Sequence, residues 1–230
     1  MDDGLIIAQN KFIDISNAHL FCSYNVLSKL LIDFGLVIEY GKTEVFHFNR
    51  LHRIFNPPPL DLSLLSGLSL CSKDTWKYLG FFFDWKLTFH QHIDYYSNKA
   101  ISIVKCMKLL GNSSQGISSI QKRLLYRCCV LSIALYGFQL WFYNKASLLY
   151  HMKILNKMQR KAAIWILGAF KTSPSEGIEA IAGIIPIKFH LQKLAKRSLI
   201  CSFKLLANHI IRDLIDDLPH QSKEPTKEHR

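Results

Sequence analysis

The spacing of apolar and polar residues divides the chain into a mixed first part and a helical second part. Residues 14–34 repeat apolar side chains at steps of three and four, and Gly35 follows as a stop signal, so this stretch predicts an amphipathic helix. Short apolar or partly alternating runs predict strands at about 4–9, 41–48, 68–71 and 76–83.

From Thr88 onward the periodicity becomes that of long helices, ending first at Gly111. A second helix is predicted to begin at Ser118 or Ser119 and to run to about Tyr143. A third helix is predicted at roughly 146–167, with Gly168 at its end. A short helix is predicted to begin after Ser175, and a last one after Pro186.

The predicted fold class is therefore α+β, with short antiparallel strands and one helix followed by a mainly α-helical, basic bundle. We divide the chain into three parts, residues 1–84, 85–210 and 211–230. The last part is polar and is predicted to be disordered.

Charge is distributed unevenly along these parts. Residues 1–72 hold five Lys and Arg against seven Asp and Glu, residues 73–204 hold twenty against five, and residues 205–230 hold four against five. A strongly basic block between nearly neutral flanks favours a polyanionic partner, either nucleic acid or an anionic membrane.

The cysteines and the most apolar segment bear on location. The six cysteines show no CxxC spacing, which indicates reduced, mostly buried thiols in an intracellular protein, nuclear or cytoplasmic. Residues 128–143 carry no charge, yet they are short for a membrane span, which needs about 20 apolar residues. A core helix is the favoured interpretation of this segment, and a membrane partner is not expected.

Several side chains are candidates for chemistry. Asp2 and Asp3 precede Gly4 and an apolar run, and paired carboxylates suit Mg²⁺, although an acidic pair near an N-terminus is more often only solvated. His90 and His92 lack further ligands at metal-binding spacing and are predicted to be surface residues.

Basic residues with aromatic neighbours suggest contacts to phosphates and bases. The alternative is that these cations are solvated faces of a bundle. The predicted set is Lys122, Arg123, Lys153, Lys157, Arg160, Lys161, Lys193, Lys196 and Arg197.

The order of motifs resembles a known family. An aspartate pair and strand, a helix, and Gly-Lys-Thr-Glu before a strand are followed by TWKYLGFFFDWKLTFHQHIDYYSNKA at 75–100. Then come QKRLLYRCCVLSIALYGFQLWFY and MQRKAAIWILGAFKTSPSEGIEAIAGIIPI. Over about residues 1–210 this resembles the C-terminal half of the reverse transcriptase of a non-LTR (LINE-type) retrotransposon, particularly the fungal kind.

The resemblance implies half of a polymerase palm followed by a helical thumb-like region, with RNA, DNA and nucleotide as partners. Asp2 and Asp3 match the family's paired catalytic aspartates, which bind Mg²⁺, and Lys42 matches a lysine near the nucleotide phosphates. Lys42 alone would be a solvated lysine at a strand start. Trp76, Lys77, Tyr78 and Gly80 match the strand that grips the primer end in the family. The alternative interpretation of these residues is ordinary packing of aromatic side chains in a core.

In the family, an earlier palm aspartate and the fingers stand before the aspartate pair. We expect neither to be part of this chain, and therefore expect it to bind nucleic acid without being a competent RNA-directed DNA polymerase by itself. We also expect residues 1–60 to be less stable than residues 88–205. Two other interpretations stay open: a stand-alone helical nucleic-acid-binding protein, and a small membrane-associated protein anchored by residues 128–143.

Overall fold

The computed structural model describes residues 4–48, 60–61, 69–111, 116–142 and 148–205. The chain is α+β, as predicted, and it divides into two compact units between His92 and Ile93. We call them the first unit and the helical unit, and describe each by itself.

Helix α1 of the first unit spans Ile13–Asp33, which confirms the helix predicted at residues 14–34. Beyond its end, Gly35 has a positive φ of 73°, and the Leu36 N–H donates to the Leu31 carbonyl at 2.8 Å. One face of α1 packs around Tyr24. Its partners in that small core are Ile6, Leu20, Phe21, Ile38, Val45 and Leu70.

The strands of the first unit are shorter than predicted. Strand β1 (Leu60–Asp61) pairs antiparallel with β2 (Ser69–Leu70). The predicted strands at 4–9 and 41–48 are wrong, because residues 4–10 have no regular secondary structure and Val45 contributes a single parallel bridge to Ser72.

The predicted strand at 76–83 is also wrong, since this stretch is a hairpin. Strand β3 (Thr75–Tyr78) turns back into β4 (Phe81–Asp84) through Leu79 and Gly80, with Tyr78 paired to Phe81. Both turn residues have positive φ, 48° and 81°, as a type I′ turn requires. Apolar residues on both sides of Gly80 conceal this turn in the sequence.

The hairpin is joined to the next helix through one carboxylate. Asp84 accepts hydrogen bonds from the Thr88 N–H at 2.9 Å, the Thr88 hydroxyl at 2.8 Å and the Phe89 N–H at 2.6 Å. Helix α2 then spans His90–Met107, and a short 3₁₀ turn, Lys108–Leu110, ends at Gly111. The prediction that His92 lies at the surface is wrong, because its ring is buried and stacks on Phe81 at 5.4 Å.

The helical unit continues with a segmented helix. Helix α3 (Ser119–Leu125) begins with a capping box between Ser118 and Gln121, as predicted for Ser118. It passes through a π-helical turn, Tyr126–Val130, into α4 (Leu131–Ala134).

The predicted continuous helix to about Tyr143 is wrong. Gly137 adopts the left-handed conformation (φ 64°) and separates α4 from α5 (Phe138–Trp141). No helix in the described ranges is both long and apolar enough to cross a bilayer.

Three further helices are described in this unit: α6 (Leu148–Leu167), α7 (Ser175–Ala182) and α8 (Ile187–Phe203). Their positions agree with the prediction, including the end of α6 at Gly168. Helix α6 is central, since it packs against α3, α7 and α8, while α5 packs on α8.

The cysteines are not where the sequence analysis placed them. All six are free thiols, as predicted, but Cys129 is half-buried and the other five are exposed. The prediction of mostly buried thiols is wrong because these side chains lie on outward-facing positions, such as Cys22 on α1 and Cys201 on α8.

Candidate nucleic-acid interface

Helix α6 carries a row of cations on its outer side. Lys153, Lys157 and Lys161 follow one another at steps of four residues, so they lie along one face, and all three are exposed. The opposite face buries Leu155 and Met158 completely. Helix α6 contains no Asp or Glu, so repulsion along the row is not offset within the helix.

Helix α8 has a second row of the same kind. Lys193, Lys196 and Arg197 are exposed and lie on one face at steps of three and four residues. The other face buries Ile187 and Leu191 in the core. Helix α8 also contains no Asp or Glu.

Together these six residues form what we call the two basic rows. Within the described ranges, none of the six makes an ion pair or a side-chain hydrogen bond. The described residues from 93 to 205 contain sixteen Lys and Arg but only three Asp and Glu. The rows therefore lie in a strongly positive setting, where a polyanion would supply the missing counter-charge.

Two arginines of the predicted set are used inside the unit instead. Arg160 donates to the Lys171 carbonyl at 2.7 Å and to the Ser175 hydroxyl, so it fixes the chain before α7. Arg123 donates to the Ala182 carbonyl at 3.5 Å, at the other end of α7. A cation beside the last carbonyls of a helix is favourable because the helix dipole is negative there.

A third arginine, which was not among the predicted residues, makes the same kind of contact. Arg127 donates from Nη2 to the Gly183 carbonyl at 3.1 Å, directly after α7 ends. The only signal in the sequence was an isolated charge within the apolar run that begins at Leu124. Such a charge indicates a specific partner, but it does not identify one.

The prediction that Lys122 belongs to an exposed basic surface is wrong. Its side chain is only 4% exposed because α3 packs on α6 at this position. The Lys122 ammonium lies 5.8 Å from the centre of the Trp165 ring, a cation–π arrangement.

His190 lies beside the α8 row but contributes little to the positive charge of this face. Partial burial, with Lys193 and Arg127 nearby, lowers the pKa of His190 below its usual 6.5. At neutral pH His190 is therefore neutral, and the positive charge of this face comes from lysine and arginine.

The candidate site residues in the first part of the chain do not belong to the basic rows. Asp2 and Asp3, the predicted Mg²⁺ ligands, lie outside the described residues. Lys42 ends a short 3₁₀ turn, Tyr40–Lys42, and forms an ion pair with Glu39 at 2.7 Å while remaining largely exposed. In the part of the chain that is described, no three His, Cys, Asp or Glu side chains are grouped to hold a metal ion.

The residues predicted to grip the primer lie in the β3–β4 hairpin. The Trp76 ring contacts Tyr78 at 4.9 Å and Phe83 at 5.7 Å between ring centres, and it is half-buried. The Lys77 ammonium lies 5.4 Å from the Phe82 ring centre, and Gly80 occupies the turn. The rings thus contact one another in the manner expected of core packing.

Comparison with known proteins adds no functional assignment. The chain matches no protein-family profile, no curated protein and no solved structure.

Proposed function

We propose that the helical unit binds nucleic acid through phosphate contacts from the two basic rows. The observation that carries this proposal is that the six exposed cations of the two basic rows lie on helices that contain no acidic residue. Retaining like charges at adjacent turns costs free energy, and the cost is removed when phosphates approach them.

The driving force of such binding would be counterion release. Each phosphate neutralised by a lysine or arginine frees a condensed cation, so the affinity falls as salt rises. Nothing in this mechanism depends on base identity, and the binding is expected to be independent of sequence.

The protein to which we propose this chain belongs is a non-LTR retrotransposon reverse transcriptase. The first unit would then be part of the palm, and the helical unit would be the thumb and the region after it. This part rests on the sequence resemblance alone. It assigns Mg²⁺ to Asp2 and Asp3, nucleotide phosphates to Lys42, and the primer end to Trp76, Lys77, Tyr78 and Gly80. When bound, Mg²⁺ would stabilise the charge of the transferring phosphoryl group.

The basic rows are tested by charge removal on one helix at a time. One variant combines K153Q, K157Q and K161Q, and the other combines K193Q, K196Q and R197Q. Because each removes three phosphate contacts, the slope of log affinity against log salt should fall by about two units in each, with weaker binding at low salt. Fluorescence anisotropy with a labelled oligonucleotide measures both quantities.

Helix α2 and the 3₁₀ turn after it offer a matched control for these variants. Lys99, Lys105 and Lys108 are exposed in the same unit, and their replacement by glutamine lowers the net charge by the same amount. The control should bind much more tightly than either row variant. Equal weakening in all three would show that only net charge matters and would contradict the proposed interface.

A further inference from the structure

One aromatic side chain lies in line with the basic row of α8. Phe189, Lys193, Lys196 and Ile200 follow one another at steps of four, three and four residues, which places them on one face of the helix. Phe189 is 60% exposed and Ile200 is 56% exposed, so this face presents a ring, then cations, then an aliphatic side chain.

The ring of Phe189 is not used in the core of the unit. The core side of α8 is formed by Ile187, Leu191 and Ala195, on the opposite face. Lys193 lies one turn after Phe189, with the two Cβ atoms about 5–6 Å apart. A ring and a cation at this spacing suit a nucleotide, which carries a flat base beside a phosphate.

The basic row of α6 differs at the equivalent position. One turn before Lys153 the chain carries Leu149, which is 86% exposed but has no ring. Three residues before Lys153 lies Tyr150, which is 40% exposed, but its hydroxyl donates to Asp94 at 2.8 Å, so this ring is held beside a carboxylate that repels phosphate. Of the two rows, only that of α8 therefore has an aromatic ring four residues before its first lysine. The contacts expected of the α6 row are to phosphates, and these do not depend on strandedness.

We propose that the outer face of α8 selects single-stranded nucleic acid, with Phe189 stacking on an unpaired base while Lys193, Lys196 and Arg197 contact the neighbouring phosphates. Bases within a duplex are already stacked on one another, so only an unpaired strand presents a base face to the ring. This inference rests on the proposed function and adds the kind of strand that α8 takes.

The test compares three ligands of equal length with the full chain: a single-stranded DNA oligonucleotide, its duplex, and the same strand with abasic positions. The variant F189L keeps the apolar volume but removes the ring. It should bind the single strand about 5- to 100-fold more weakly, while its affinity for the duplex and the abasic strand should change less than about twofold.

The variant I200L is the matched control, since it alters an exposed apolar residue of the same face without affecting a ring. It should bind all three ligands as the unmodified protein does. The reverse change on the other row, L149F, should increase affinity for the single strand but not for the abasic strand.

The outcomes separate the two proposals. If F189L binds the single strand as tightly as the unmodified protein, the role of Phe189 is overturned, while salt-dependent binding of the duplex still supports phosphate contacts. If no ligand shows salt-dependent binding, the proposed function fails and this inference fails with it.

Discussion

Lys122 and Lys157 carry the same charge on packed helices, yet their surroundings differ completely. Lys157 is exposed on α6, whereas Lys122 is buried beside Trp165, on α3. Both were predicted to lie on one surface, because a sequence gives the position of a residue around its own helix. It does not show which face a neighbouring helix covers, so burial of Lys122 was not predictable.

The buried hydrogen bond between Tyr126 and Gln159 was also not predicted. The Tyr126 hydroxyl donates to Gln159 Oε1 at 3.0 Å, and Gln159 Nε2 donates to the Ile185 carbonyl at 3.3 Å. Tyr126 is fully buried, and this burial raises the pKa of its hydroxyl far above the usual 10.0, so it stays protonated. The pair joins the π-helical turn, α6 and the segment before α8.

We predict that Q159L destabilises the protein by about 1–3 kcal/mol, because it leaves the Tyr126 hydroxyl and the Ile185 carbonyl without their partner. Y126F should cost a similar amount, since it leaves Gln159 Oε1 without its donor. Urea unfolding followed by circular dichroism measures the free energy of unfolding.

The double variant provides the control for this pair. With both polar groups replaced, the combined loss should be smaller than the sum of the two single losses by about 0.5–3 kcal/mol. Simple additivity would show that Tyr126 and Gln159 do not interact.

At the scale of elements, helices were predicted better than strands. Helix α1 and helix α6 have long apolar periodicity and a glycine directly after the last turn, and both were predicted close to their observed bounds. The β3–β4 hairpin was predicted as one strand, because its type I′ turn contains Leu79 where Asn or Asp would have signalled a turn.

The end of α7 shows how an element depends on one backbone conformation. Gly183 is left-handed (φ 62°), and the following Ile184 N–H donates to the Glu179 carbonyl at 2.9 Å. A Cβ at this position would also collide with the Arg123 guanidinium. Gly183 therefore both ends α7 and makes room for the arginine that caps it.

We predict that G183A lowers the free energy of unfolding by about 1–3 kcal/mol, from left-handed strain together with displacement of Arg123. Thermal or urea unfolding of the variant measures the loss.

The matched control for this substitution is G177A in the same helix. Gly177 lies inside α7, and a Cβ there meets Pro174 only at an ordinary 3.5 Å. It should leave stability unchanged or raise it by up to about 1 kcal/mol, because alanine favours helix more than glycine does. A loss as large as that of G183A would contradict the account of the helix end.

At the scale of the whole molecule, the two units differ in how well their helices are covered. Helix α1 buries only Tyr24 and Ser28, and Val26 and Leu30 on its outer side are at least half exposed. Helix α6 is nearly as long, yet it buries eight residues. The hydrophobic free energy that opposes local opening is therefore larger in the helical unit.

We predict that amide hydrogens of α1 exchange faster than those of α6, in agreement with the lower stability expected for residues 1–60. Hydrogen–deuterium exchange with mass spectrometry reports both helices in one experiment on the full chain. Stronger protection in α1 than in α6 would contradict this difference between the units.

Some features of the candidate interface could be predicted from the sequence, and others could not. Charge along the chain identified the basic helical part, and periodicity placed both basic rows on helices, because both properties are local. The division of arginines between core contacts and the exposed surface depends on tertiary packing. It separates Arg123 and Arg160 from the six residues of the two rows.

The central claim is that these six residues bind phosphates, and the salt dependence of affinity tests it most directly. The dissociation constant of the full chain for a short DNA duplex is measured between 50 and 200 mM salt, the range over which phosphate contacts are strongly weakened. With most of the six cations in contact, log affinity should fall against log salt with a slope of about −3 to −5. A slope near zero would contradict the account.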